Sequence, residues 1–225
     1  MSVHLQREIE RLKKRLLTIC ALVEEQAEMA VRSLTTRDSD LARQVSERDH
    51  EIDRSEVEVE EDCLKVLALY QPVAVDLRWI VSAMKINNDL ERIGDLAVNI
   101  ARKTLAISAL PPCEISYDVT GIWEKTQAML HDSIDALVSL DANLAIGVCG
   151  RDDEVDAMKR EMRLWAQDMV RKQPDRVDFF FNLMAVARNL ERIADLATNI
   201  AEDVIYMAEG RIIRHGLGLG PHPVA

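Results

Sequence analysis

Two sets of acidic residues carry the spacing best suited to chemistry. Asp49 and Asp53 lie one helical turn apart, as do Glu91, Asp95 and the amide Asn99. In a helix that interval stacks side chains on one face. A second set repeats the first: Asp152 with Asp156, and Glu191 with Asp195 and Asn199. Like charges at this spacing destabilise a helix by roughly 0.2–0.5 kcal/mol per pair. Bringing four carboxylates to one seam is worse, unless a cation neutralises them. Oxygen donors without sulfur or imidazole suit magnesium, manganese, calcium or ferric iron. None of His4, His50, His131, His215 and His222 falls on both sets of stripes, so a Glu-x-x-His di-iron pattern is not supported. The plainer alternative is a solvated acidic face balanced by Arg48, Arg92, Arg151 and Arg192. Spacing and duplication leave both readings open.

The elements that must position these residues are themselves duplicated. Asp89–Ala101 matches Asn189–Ala201 at an offset of 100 residues, with ten of thirteen positions identical. Arg48-Asp49-His50-Glu51-Ile52-Asp53 matches Arg151-Asp152-Asp153-Glu154-Val155-Asp156 at an offset of 103. Gln71-Pro72 with Val75-Asp76 matches Gln173-Pro174 with Val177-Asp178 at an offset of 102. Three matches in one order at nearly one offset indicate two homologous halves. Residues 1–110 form the first, 113–210 the second, and 211–225 a flexible tail, disordered from Gly216 onward.

Each half reads as three helices. Ile9, Leu12, Leu16, Ile19, Val23 and Ala27 recur at steps of three and four, predicting a helix over about Leu5 to Leu34. Asp38 or Ser39 caps the next, which runs to about Tyr70. Pro72 suits the first turn of a third, ending near Ala106. The second half predicts helices over Val119–Leu140, Asp141–Lys172 and Asp175–Glu209. The fold class is therefore all-α: two tandem three-helix bundles, six long antiparallel helices in all. Gly147 and Gly150 weaken the fifth helix by up to about 1 kcal/mol each relative to Ala. Gly150 also stands where the first half has Glu47, which leaves room for the two acidic sites to differ in occupancy. Leu90, Ile93, Leu96 and Ile100 read as core, and Trp79, Trp123 and Trp165 as packing residues.

Composition excludes several classes. The chain has 225 residues, 48% apolar and 30% charged, with a formal net charge of −11. Such a charge disfavours nucleic acid, and no basic patch overrides it; Arg11 to Arg15 read as a solvated helix face. Cys20, Cys63, Cys113 and Cys149 form no C-x-x-C pair and read as reduced thiols. No apolar run is long enough to span a bilayer, and the charged N-terminus is no signal-peptide core. A cytoplasmic location is expected.

Two copies of Leu-Glu-Arg-Ile-(Gly/Ala)-Asp-Leu-Ala-x-Asn-Ile-Ala, two of Arg-Asp-x-Glu-(Ile/Val)-Asp, and Gln-Pro-Val-Ala-Val-Asp-Leu-Arg together resemble the PhoU family. The resemblance covers about residues 3–209. It implies paired three-helix bundles, frequent homodimers, and multinuclear metal clusters of iron, zinc, manganese or magnesium type. The implied ligands are Asp49, Asp53, Glu91 and Asp95 in one half, and Asp152, Asp156, Glu191 and Asp195 in the other. It further implies a negative regulator of phosphate uptake and of the phosphate-starvation response. Its partners would be the ATPase subunit of a phosphate ABC transporter and a phosphate-sensing histidine kinase, with the membrane touched only through them. No extra base, nucleophile or phosphate-cradling loop accompanies the carboxylates, so no catalytic residue is assigned. A metal store, or a metal-dependent phosphohydrolase, is the alternative. The second copy departs from the pattern by replacing Leu77-Arg78-Trp79 with Phe179-Phe180-Phe181.

Overall fold

The computed structural model describes residues 3–113 and 117–213; the expected tail from Gly216 lies outside them. The first half comprises α1 (Val3–Thr36), α2 (Ser39–Tyr70) and α3 (Ala74–Ser108). The second comprises α4 (Val119–Ser139), α5 (Ala142–Cys149), α6 (Asp152–Lys172), a 3₁₀ turn (Pro174–Arg176) and α7 (Val177–Glu209). No strand occurs among the described residues. All six apolar positions expected on the first helix are buried in α1.

The turns repeat as the helices do. Asp38 caps α2 by accepting from the N–H groups of Asp40 and Leu41, at 3.0 and 2.9 Å. Asp141 caps α5 in the same way, accepting from Asn143 and Leu144 at 2.8 and 3.1 Å. Each bond satisfies a donor that a helix start leaves orphaned. Gln71 and Leu140 close α2 and α4 with left-handed backbones, φ 45° and 53°. That turn places Pro72 ahead of α3 rather than in its first turn, because Val73 is the residue flanking the helix.

The helix expected over Asp141–Lys172 is interrupted at Gly150–Arg151. Glycine supplies no helix-favouring side chain there. The three acidic residues that follow, Asp152, Asp153 and Glu154, favour a fresh helix N-terminus, where the backbone dipole is positive. The last helix likewise begins as α7 at Val177, after the short 3₁₀ turn.

The helices of each half pack on one another, and the halves meet chiefly along α3 and α7, with α1 against α4. Leu90, Ile93, Ile100, Leu190, Ile193 and Ile200 are all completely buried in this shared core. Polar clasps span the junction. Lys85 of α3 pairs with the buried Asp203 of α7 at 3.2 Å, and His131 of α4 meets Glu24 of α1 at 3.0 Å. Within the first half, Arg15 pairs with Glu58 and Asp62 at 3.0 and 3.3 Å, so part of the basic run stitches α1 to α2. Cys20, Cys63 and Cys149 are free thiols. Burial pushes Cys20 and Cys63 up to about 12, which leaves them inert at neutral pH.

Candidate functional site

The antiparallel course of α2 and α3 brings Asp49 and Asp53 to Glu91 and Asp95 along one seam. Asp49 is half-buried and lies over the backbone of Gly94: a Cβ there would stand 3.5 Å from its Oδ1 and 3.2 Å from Ile52 Cδ1. Gln26 of α1 reaches into the seam and donates to Asp49 Oδ1 at 2.8 Å. Burial, together with the charges of Asp53 and Asp95, raises the Asp49 pKa against the opposing hydrogen bond from Gln26. Glu91 is raised by burial, then by Asp95, Glu56, Asp53 and Asp49. Glu56, one turn beyond Asp53, is raised by burial and by Glu60 and Asp53. Five carboxylates therefore share this seam, and among the described residues none of the five is ion-paired.

The seam between α6 and α7 is built differently. Lys159 Nζ donates to Asp156 Oδ1 at 2.7 Å and also to Glu191, tying the two helices together. Arg160 adds a pair to Asp156 at 3.4 Å. The hydrogen bond from Lys159 holds the Asp156 carboxyl below the ordinary range. Burial alone would lower the Lys159 pKa, but its bonds to Asp156 and Glu191 outweigh that and raise it. Asp195 lacks such a bond and is pushed up to about 6, by burial first and then by Glu191, Asp152 and Asp156. Asp152 is raised by burial, Asp156, Asp153 and Glu191, against a 3.5 Å hydrogen bond from Thr198.

All eight carboxylates singled out by spacing thus gather at two seams. Asn199 lies with Asp152, Asp195, Arg92 and Arg192 in a cleft of about 340 Å³. Asn99 is one turn away from its acidic set and accepts from Arg102 at 3.4 Å. Three of the four arginines proposed to balance the stripes are engaged elsewhere, while Arg192 lines the cleft with Asp152 and Asp195. Arg48 forks onto Glu25 with two 2.9 Å bonds, Arg92 pairs with Asp89 at 3.0 Å, and Arg151 with Asp132 at 2.6 Å. No three acidic, histidine or cysteine side chains among the described residues converge closely enough to grip an ion as they stand. Glu56 and Lys159 also line the seams but fall outside the four-residue steps of Asp49–Asp53 and Asp152–Asp156. The repeat offset that pairs Asp53 with Asp156 also pairs these two, so the signal was present three residues further along each helix.

The PhoU domain family model matches the chain twice, over residues 16–104 and 120–204. A Pseudomonas aeruginosa protein described as a phosphate-specific transport system accessory protein PhoU homolog is 37% identical over 219 residues, covering 96% of this chain and 89% of that one. The fold is similar to the crystal structure of PhoU from Pseudomonas aeruginosa, with a TM-score of 0.89 and 37% identity over 92% of this chain and 99% of that one. It is also similar to the phosphate transport system regulatory protein PhoU from Streptococcus pneumoniae, with a TM-score of 0.82 and 26% identity over 92% and 98% of the two chains.

Proposed function

The chain belongs to the PhoU family, and from that premise we propose that it is an accessory protein of phosphate-specific transport that restrains phosphate uptake and the phosphate-starvation response. The carrying observation is that both repeats match the family, with a relative of that description aligned over nearly the whole chain. In this reading the chain docks, as a homodimer in the cytoplasm, on the ATPase subunit of a phosphate ABC transporter and on a phosphate-sensing histidine kinase. Among the described residues no helix is long and apolar enough to cross a membrane, in keeping with a partner that reaches the transporter from outside the bilayer. The role is non-catalytic.

Metal belongs to this reading at the α2–α3 seam. Asp49, Asp53, Glu56, Glu91 and Asp95 would hold it, and the donor set fits: oxygen only, crowded, and, among the described residues, in no ion pair with a side-chain cation. When bound, a divalent or trivalent ion neutralises the seam and braces α2 against α3. The exposed Asp53 and Asp95 side chains have room to turn toward it.

Deleting the gene in its host tests the regulatory reading. Phosphate-starvation enzymes such as alkaline phosphatase should then be made even in phosphate-rich medium, and complementation should silence them. Activity that stays low in the deletion strain contradicts the assignment.

A further inference from the structure

We propose that Lys159 is the resident cation of the α6–α7 seam, so that external metal loads the α2–α3 seam and not this one. The proposal deepens the metal reading above and rests on it for the α2–α3 half. The role of Lys159 in the metal-free chain stands independently.

Three observations carry it. First, the Lys159 ammonium bridges α6 and α7, the counterparts of the two helices that a metal would bridge in the other half, donating to Asp156 on its own helix and to Glu191 on α7. An ion entering there must break two charge-assisted bonds and then sit beside the displaced ammonium. Second, the repeat register places Glu56 opposite Lys159, so the same turn adds an anion in one half and a cation in the other. Third, the support behind that turn changes with it. In the first half the buried Asn87 donates to the Glu56 carboxylate at 3.3 Å and to its backbone carbonyl at 2.9 Å. In the second half the register puts Ala187 at that place, with no amide to hold a carboxylate. Arg160 and the helix N-terminus at Asp152 add positive potential to the second seam alone.

The test uses the full chain, stripped with a chelator, dialysed, and reloaded with manganese(II). Bound metal per chain is measured by elemental analysis after gel filtration, and the melting temperature of the stripped chain by circular dichroism. Lys159→Glu, which copies the first half, should roughly double the metal-to-chain ratio and melt several degrees lower when stripped. Glu56→Lys should bring the ratio close to zero and melt several degrees higher. Lys159→Gln serves if Lys159→Glu does not fold, and should also raise the ratio. An unchanged ratio in the Lys159 variants, from a wild-type chain that does load metal, overturns the proposal. If the wild-type chain binds no manganese, the metal reading of the first seam falls instead. The stripped chains then decide alone, and Lys159→Glu melting at or above wild type overturns the counterion role.

Discussion

At the α2–α3 seam Glu56 adds a fifth carboxylate one turn beyond Asp53, and among the described residues no side-chain cation pairs with it. At the α6–α7 seam Lys159 occupies the corresponding turn and clasps Asp156 and Glu191. The apolar frames around the two are nearly interchangeable: Leu90 and Leu190, and Ile93 and Ile193, are equally buried. Duplication has therefore kept the packing while the charge has diverged. A core position is held by many contacts at once. A half-exposed carboxylate is held mainly by its counterion, so one substitution can change what its seam needs.

The comparison can be broken most decisively by removing carboxylates from one seam at a time. Glu91→Ala with Asp95→Ala should drop bound metal to background while the fold survives, since the change relieves repulsion. Glu191→Ala with Asp195→Ala should leave metal content unchanged. Elemental analysis of the reloaded chains checks both. Equal losses would mean that the seams are equivalent.

Packing should behave in the opposite way. Leu90→Ala and Leu190→Ala should each destabilise the chain by about 2–5 kcal/mol, through lost burial and the cavity left behind. Urea midpoints that fall by similar amounts support equivalent cores. A much larger fall for one would show that the apolar frames have diverged as well.

Acid sharpens the charge comparison. The folded Asp195 carboxyl is pushed up to about 6 from an ordinary 3.8, so between those values the folded chain binds more protons than the unfolded one. Stability of the metal-free chain should therefore rise as pH falls from 7 toward 5, by on the order of 1 kcal/mol after solvent screening. Asp49, Glu56, Glu91 and Asp152 are raised and act in the same direction. Asp156, held low, acts oppositely, and its contribution is lost only below the ordinary aspartate range. In the metal-loaded chain protons compete with the ion for the oxygens of Asp49, Glu56 and Glu91 at the α2–α3 seam, so the rise should shrink or reverse there while the Asp195 contribution at the metal-free seam persists. Melting curves at pH 7 and 5, with and without metal, test the sign.

The smallest effect concerns the helix break. A Cβ at Gly147 would meet nothing within 4 Å. Gly147→Ala should stabilise the chain by about 0.5–1 kcal/mol by restricting the unfolded state. A loss of stability would show that α5 uses the flexibility of Gly147.

Much of this architecture is legible in the sequence because periodicity and duplication are redundant signals. The six buried positions of α1, the cap at Asp38 and the pairing of the eight carboxylates each rest on more than one residue. The break at Gly150–Arg151 does not: two glycines weaken a helix, but only tertiary packing decides whether it parts. The turns at Gln71 and Leu140 were hidden because non-glycine residues adopt the left-handed backbone there. The partners of Arg48, Arg92 and Arg151 were hidden because a long side chain can swing to either helix face, and spacing does not say which acid it meets.

Anomalous scattering from a crystal of the full chain grown with manganese(II) tests the inequality of the seams most directly. A peak among Asp49, Asp53, Glu56, Glu91 and Asp95, with Lys159 still clasping Asp156 and Glu191 and no peak beside them, is the predicted result. Peaks of equal height at both seams, or a peak only between α6 and α7, would contradict it.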